Sequence, residues 1–133
     1  MNTKTASLII GIIFLVVGLL GFIPNPVVGN SHDAIFHADA VHNMVHIISG
    51  VLFLIFAFAA PARAGLFLKL FGIVYLLLGI IGFATIGDSG MIALLGFLPV
   101  NGADNYLHIG LGILILMAGF LPKAYARSSS ART

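Results

Sequence analysis

Two segments of this chain occur twice, and the repeat limits the folds that the chain can adopt. The apolar segment 11–22 returns at 72–83 with its three glycines in register. The pattern N-x-x-H-x-x-x-G at 43–50 returns at 105–112. Apolar matches arise easily by chance in an apolar chain, but matched glycines and a matched polar pattern do not. We therefore interpret the chain as a tandem duplication of a two-helix unit.

Four apolar runs, at about 6–23, 41–60, 64–86 and 106–121, fit helices that cross a membrane. Each run is close to the roughly 20 residues that span about 30 Å of hydrocarbon at about 1.5 Å per residue. With 60% hydrophobic and 8% charged residues, the chain has too little polar surface for a water-soluble domain of its size. We predict an all-α fold, an integral membrane four-helix bundle built from two tandem transmembrane hairpins.

The repeat also predicts the domain organisation. The chain, 1–133, forms a single membrane domain, with a first helical hairpin at 6–60 and a second at 64–122. Residues 123–133 form a short polar tail. Because each hairpin crosses the membrane twice, both have the same orientation. The pseudo-twofold axis that relates them therefore runs along the membrane normal.

Positive charges lie on one side of the predicted spans. The two long connections, 24–40 and 87–105, contain all four acidic residues and no Lys or Arg. The positive-inside rule then places both termini and the polar tail in the cytoplasm, and both long connections outside. We expect the first span to be retained rather than cleaved as a signal peptide, because it matches the third span. The basic residues are Lys4, Arg63, Lys69, Lys123, Arg127 and Arg132.

Glycines mark the positions where the predicted helices pack. In lipid, helices associate through close packing, and small residues allow two backbones to approach. In the first span and again in the third, two further glycines follow the first repeated glycine by seven and by ten residues. In the second and fourth spans, a glycine follows the repeated histidine by four residues. The predicted helix-packing residues are Gly11, Gly18, Gly21, Gly50, Gly72, Gly79, Gly82 and Gly112.

Polar residues form one stripe on the second span and one on the fourth, at spacing i, i+3, i+7. Because the duplicated units are parallel, both stripes lie at the same depth, and polar groups in hydrocarbon need partners. The residue before each repeated asparagine adds one more potential ligand to each stripe. The candidate polar or ligand cluster comprises His42, Asn43, His46, Asp104, Asn105 and His108.

Four interpretations of this cluster are open. The first is a hydrogen-bond network without a cofactor, because His and Asn in membrane bundles are usually structural. The second is a divalent metal site, for zinc or copper, since imidazole and carboxylate suit either ion; its ligands would be His42, His46, Asp104 and His108. The third is haem with His46 and His108 as axial ligands. The fourth is a quinone or lipid site.

Common catalytic signatures are missing from the chain. It has no Cys and no Glu, and it contains no P-loop, nucleophile elbow or HExxH motif. Disulfides, thiol catalysis and Cys-ligated zinc are therefore excluded. We predict that the protein is not an enzyme. The basic residues are scattered singly, so we do not expect it to bind nucleic acid.

The second long connection contains an apolar run at 91–99, whereas the corresponding part of the first connection is polar. The run is too short to span a membrane. We predict a re-entrant or interfacial segment that lies over the bundle.

The stretches 41–46 and 98–108 carry a family resemblance. Their elements HN-x-x-H and N-x-x-DN-x-x-H resemble the signature of a bacterial four-span family, domain of unknown function 4383, over nearly the whole chain. The resemblance implies a small protein of the bacterial cytoplasmic (inner) membrane. It implies no activity, because the family has none assigned.

The predicted function is that of a structural or accessory membrane protein. The alternative is a metal- or haem-binding membrane protein that uses the histidine and aspartate cluster. We expect the lipid bilayer to be its main partner. The sequence leaves open whether the protein also forms a homo-oligomer or belongs to a larger membrane complex.

Overall fold

The computed structural model describes residues 1–31 and 33–123, so nearly all of the predicted polar tail lies outside the described residues. Four helices account for most of the described chain. They are α1 (Thr3–Leu20), α2 (Ala40–Phe58), α3 (Ala64–Ile86) and α4 (Gly102–Ala118). A 3-10 turn at Pro61–Arg63 joins α2 to α3, and short strands lie in the two long connections.

Side-chain caps determine where the first and last helices begin. The side chain of Asn2 accepts a hydrogen bond from the amide of Thr5, and that of Asn101 accepts one from the amide of Asp104. Each cap satisfies an amide that has no partner within the helix. As a result, α1 and α4 begin before the apolar runs, at 3 rather than 6 and at 102 rather than 106. They also end earlier than predicted, whereas α3 coincides with its apolar run.

Within the described part of the chain, three segments are long and apolar enough to cross a membrane. They are α1, α2 and the stretch Pro61–Ile86, which contains α3. Helix α4 is also apolar but has 17 residues, which is short of the roughly 20 that a span usually needs. Large apolar side chains are exposed on the outward faces, among them Ile12, Val16, Ile48, Val74 and Leu114. Such a surface suits contact with lipid.

Glycines bring the helices together in two pairs, α1 with α2 and α3 with α4. A Cβ atom at Gly18 would lie 2.8 Å from the carbonyl oxygen of Asn43 on α2. One at Gly79 would lie 2.9 Å from the carbonyl oxygen of Asn105 on α4. These distances are too short for a real side chain, so glycine is needed for the backbones to approach. The glycines that lie against the partner helix include Gly11, Gly18, Gly21 and Gly50 in the first pair, and Gly72, Gly79, Gly82 and Gly112 in the second.

Aromatic rings connect the two helix pairs. The Phe14 ring of α1 lies 5.5 Å from Phe53 of α2 and 5.4 Å from Tyr75 of α3, between ring centroids. Phe53 in turn lies 4.6 Å from Phe71 of α3. Tilted and edge-to-face pairs at such distances add about 0.5–1.5 kcal/mol each to the burial of their surfaces. This aromatic core reaches the histidines, since Phe14 also lies 5.7 Å from His46.

The two long connections contain short pairs of strands. In the first, β1 (Val28–Gly29) pairs in parallel with β2 (Phe36–His37). In the second, β3 (Met91–Leu94) pairs antiparallel with β4 (Leu98–Asn101). The predicted re-entrant or interfacial segment is thus a β-hairpin, whose strand pairing provides partners for its backbone amides and carbonyls.

One face of the β3–β4 hairpin is buried against the helices. Leu94, Leu98 and Val100 form a cluster that packs against Val45 of α2 and Leu78 of α3. The apolar side chains that remain exposed are Met91, Leu95 and Phe97. The hairpin therefore covers the ends of α2 and α3 near the histidines, and it places backbone carbonyls beside the polar cluster.

Candidate functional site

Three histidines converge at one end of the helices. His42 and His46 are one turn apart on α2, and their ring centroids are 4.7 Å apart. His108 comes from α4, and its ring lies 5.9 Å from that of His42. One ring nitrogen from each histidine lies within 4.8 Å of those of the other two. The side chains are only 3%, 8% and 4% exposed, so the imidazoles face each other away from solvent.

The backbone of the β3–β4 hairpin orients the ring of His42. Its Nδ1 lies 2.9 Å from the carbonyl oxygen of Pro99. A carbonyl oxygen can only accept a hydrogen bond, so Nδ1 carries the proton and donates it. Nε2 is then left with its lone pair. This is the state in which a neutral imidazole binds a metal ion.

Tyr75 joins the cluster from α3. Its hydroxyl lies 3.2 Å from Nε2 of His46, and its ring is 4.7 Å from that of His108 in an edge-to-face arrangement. Tyr75 was not predicted to belong to the cluster, because an aromatic side chain in an apolar span is usually part of the core. One signal was available: Tyr75 occupies the position of Phe14 in the repeat, so only one of the two units carries a hydroxyl there.

Two imidazole nitrogens have no partner among residues 1–31 and 33–123. They are Nδ1 of His46 and Nδ1 of His108, and both are buried. A buried polar atom without a partner costs about 1–3 kcal/mol. Hydrogen bonds within the described chain therefore account for one ring nitrogen of His42 and one of His46, and they leave the Nδ1 atoms of His46 and His108 without partners.

Asp104 lies outside the convergent group of three histidines. Its Oδ2 accepts a hydrogen bond from the amide of Asn101 at 2.8 Å and one from the amide of His37 at 3.1 Å. The first of these belongs to a capping box, in which the side chain of Asn101 accepts from the amide of Asp104. The carboxylate thus holds the start of α4 and joins it to β2. The convergent set of ligands is therefore smaller than predicted, because it lacks Asp104.

Asn43 and Asn105 contact their own helix pairs. The side chain of Asn43 lies against Gly21 at the end of α1, and that of Asn105 lies against Gly82 of α3. Both side chains are fully buried. Because each lies against the same repeat position in its own pair, we assign the two asparagines to helix packing rather than to the ligand set.

A cavity of about 250 Å³ lies between α1 and α4, beside the histidines. We call it the α1–α4 crevice. Its polar lining consists of His46, Tyr75, Asp104 and His108. Ile13, in its wall, is 49% exposed, so the crevice reaches the outer surface of the helices. The apolar walls include Ile13 and Val17 of α1, Leu107 and Leu111 of α4, and Val28 and Phe36 of the first connection.

Loss of the Asn101 side chain should destabilise the end of α4 that carries the site. Its Oδ1 accepts from the amide of Asp104 at 2.9 Å, and its Nδ2 donates to the carbonyl of Ile35 at 2.9 Å. We expect Asn101→Ala to lower the free energy of unfolding by about 1–2 kcal/mol, measured by denaturation in detergent. Asp39→Asn is the control, because it keeps a good capping side chain on α2. Unchanged stability of Asn101→Ala would contradict the assignment.

Comparisons with known proteins point to a family and to no individual relative. The family described as Domain of unknown function (DUF4383) has a model that matches residues 4–121. Neither the comparison with curated proteins nor that with solved structures gave a match. The matched range contains α2, α3, α4 and all but the first residue of α1. It therefore includes every residue of the histidine cluster.

Proposed function

The chain belongs to the family described as Domain of unknown function (DUF4383), and we propose that it is a small integral membrane protein that holds a divalent transition-metal ion between His42, His46 and His108. The observation that carries this proposal is the approach of three buried imidazoles, from two helices, to within 4.8 Å of one another. We further propose that the protein is not an enzyme and acts as an accessory protein, alone or within a larger membrane complex.

Zinc and copper are the ions that suit these donors. Both accept neutral imidazole nitrogens, and zinc does so at about 2.0–2.1 Å. Nitrogens around a tetrahedral zinc ion are about 3.3 Å apart, compared with up to 4.8 Å between the three histidines here. The rings must therefore close by up to about 1.5 Å, which rotations about side-chain bonds can supply. The hydrogen bond from Nδ1 of His42 to Pro99 leaves the lone pair of Nε2 available to bind an ion.

Packing around the cluster favours a single ion over haem. A haem with His46 and His108 as axial ligands would need a planar slot between these two imidazoles. Instead, the ring of His42 lies 4.7 Å from His46 and 5.9 Å from His108. The Tyr75 ring lies 4.7 Å from His108 on another side. These rings take up the space that the macrocycle would need.

The surroundings of the three histidines support an accessory role. A metal hydrolase commonly places a free carboxylate beside its metal to act as a general base. Here Asp104 accepts hydrogen bonds from two backbone amides, and Asp39 accepts one from the amide of His42 as a helix cap. The rings of Phe14 and Tyr75 pack around the cluster. The site is thus better suited to holding an ion within the fold than to activating water.

Matching contacts in the two helix pairs support a tandem duplication. Asn43 lies against Gly21, and Asn105 lies against Gly82 at the corresponding position. From this we propose a four-span bundle whose pseudo-twofold axis runs along the membrane normal. The 17 residues of α4 are then at the lower limit of about 17–25 residues for a membrane-spanning helix.

We place the protein in the bacterial inner membrane with both termini in the cytoplasm. The distribution of Lys and Arg supports this orientation. A hydrogen bond of 3.0 Å between the amide of Thr3 and the carbonyl of Pro122 brings the two ends of the described chain to the same side. Lys69, one of the basic residues assigned to the cytoplasmic side, has its ammonium group 4.0 Å from the centre of the Phe120 ring, close to the second of these ends.

Cysteine labelling in intact cells tests this orientation. The chain has no cysteine of its own, so a single one can be introduced at each exposed position. We expect a cysteine at Ser31 to react with a membrane-impermeant maleimide, because the first long connection is outside. One at Ala62 should react only after permeabilisation. The reverse pattern would show that the orientation is inverted.

The metal content of protein purified in detergent tests the metal site. After loading with zinc or copper and removal of the excess, we expect the parent protein to retain one ion per chain. His42→Ala, His46→Ala and His108→Ala should each lose it, because two imidazoles bind too weakly to survive the removal step. His37→Ala changes a histidine outside the group and should retain the ion. A parent protein without metal, or three variants that keep it, would contradict the proposal.

A further inference from the structure

We propose that the α1–α4 crevice binds a neutral, quinone-like molecule from the lipid phase. The carbonyl end of its ring lies against Tyr75 and His108, and its apolar tail passes between α1 and α4 into the surrounding lipid. The crevice shares His46 and His108 with the proposed metal site, whereas His42, the third metal ligand, does not line it.

The size and lining of the crevice suit one end of a lipid-soluble molecule. Its volume of about 250 Å³ is close to the lower limit, roughly 300 Å³, of small-molecule sites. Its walls are mostly apolar, and it reaches the helix surface at Ile13. A ring and the first part of a tail therefore fit inside, while the rest of the tail stays in contact with lipid.

The polar lining requires a ligand that forms hydrogen bonds. Nδ1 of His108 is buried and has no partner in the described part of the chain. The hydroxyl of Tyr75 and the carboxylate of Asp104 line the same space, but they already have partners in His46 and in two backbone amides. A plain acyl chain would cover His108 and leave this nitrogen unpaired, which costs about 1–3 kcal/mol. The buried end of the occupant must therefore carry a polar group.

The difference between the two repeats indicates where the polar group of the ligand binds. Tyr75 places its hydroxyl 3.2 Å from His46, while the corresponding residue of the first unit is Phe14. Under the proposed duplication, the counterpart of this hydrogen bond would link His108 to a hydroxyl at position 14. The phenyl ring cannot supply it, although Phe14 and His108 both line the crevice. The carbonyl or hydroxyl of the ligand takes this role.

Charge and ring geometry select a neutral aromatic-like head group. Among residues 1–31 and 33–123, no Lys or Arg lines the crevice, and its one acidic residue is Asp104. A fatty-acid carboxylate or a phosphate would be buried without a counter-ion and next to a like charge, which is strongly unfavourable. The rings of Phe14, Phe36 and Tyr75 instead offer faces and edges to a flat ring. A quinone combines a flat, neutral ring with carbonyl oxygens that accept hydrogen bonds.

Titration of the full-length protein with decylubiquinone tests the inference. We expect a saturable rise in melting temperature in detergent, which gives an apparent affinity. Leu111→Trp fills the crevice and should weaken this affinity by about tenfold or more. Leu114→Trp places the same side chain at an exposed position on the same helix and should leave the affinity unchanged. Equal affinities of the two variants would overturn the proposal.

Phe14→Tyr is a second variant that keeps the packing nearly unchanged. Its added hydroxyl should pair with His108 and lower the affinity for decylubiquinone by about tenfold. Unchanged affinity of Phe14→Tyr would overturn the predicted position of the carbonyl. If oleate or decanol stabilised the parent protein with the same affinity as decylubiquinone, the crevice would be a general site for apolar chains, and the proposal would be wrong.

Two variants separate this inference from the metal proposal. His42→Ala should lose zinc but keep its affinity for decylubiquinone, because His42 is a metal ligand and does not line the crevice. Leu111→Trp should keep zinc but lose quinone binding. Parallel loss of both ligands in each variant would show that there is no separate quinone site.

Discussion

Gly79→Leu and Gly18→Leu should each destabilise the protein by about 3 kcal/mol or more, enough to lower expression and melting temperature strongly. A Cβ atom at Gly79 would lie 2.7 Å from the amide nitrogen of Ile109 and 2.9 Å from the carbonyl oxygen of Asn105. Both are backbone atoms that cannot rotate away. The side chain can be accommodated only if α3 and α4 separate, which also moves His108 away from the other histidines.

Neighbouring residues on the outer faces provide the matched controls. Leu19→Ala and Ile80→Ala shorten exposed side chains and should change the stability by less than about 1 kcal/mol. The comparison is made by thermal denaturation of all four variants in the same detergent. If the glycine variants melted at the same temperature as these controls, the helix pairs would not be held together at the glycines.

Zinc should stabilise the parent protein by several kcal/mol. An ion that binds only the folded state adds about 2.7 kcal/mol at a concentration of a hundred times Kd, and about 4.1 kcal/mol at a thousand times Kd. For a chain of this length we expect a rise in melting temperature of roughly 10 °C.

The histidine variants show whether this stabilisation comes from the proposed site. His46→Ala and His108→Ala should melt at the same temperature with and without zinc, whereas His37→Ala should respond like the parent. Without zinc, we expect His46→Ala to be the less stable of the two cluster variants, because it leaves the hydroxyl of Tyr75 without its partner. A full zinc response in His108→Ala would contradict the metal site.

Apolar runs predicted the helices well, but polar residues at their ends shifted the boundaries. The third run coincides with α3, whose ends are not set by side-chain caps. The helices that contain the first and fourth runs begin before the apolar residues, because Asn2 and Asn101 cap them there. The β3–β4 hairpin was not predicted as strands. A short apolar run looks the same whether it forms a strand or an interfacial segment.

For the candidate site, the sequence predicted which residues share a helix face but not how the helices turn toward each other. Spacing of four residues places His42 and His46 on one side of α2. The approach of Tyr75 and the use of Asp104 as a cap depend on tertiary contacts between separate segments. No spacing within one helix specifies such contacts. The sequence therefore indicated a polar cluster, and the structure reduced it to three histidines and a tyrosine.

X-ray absorption at the zinc edge tests the three-histidine site most directly. For zinc-loaded protein in detergent, we predict three imidazole nitrogens at about 2.0–2.1 Å from the ion, with the outer-shell scattering that imidazole rings produce. His37→Ala should give the same spectrum, and His42→Ala should retain no bound zinc. A first shell made only of oxygen atoms, or the same spectrum from His46→Ala as from the parent, would contradict the proposed site.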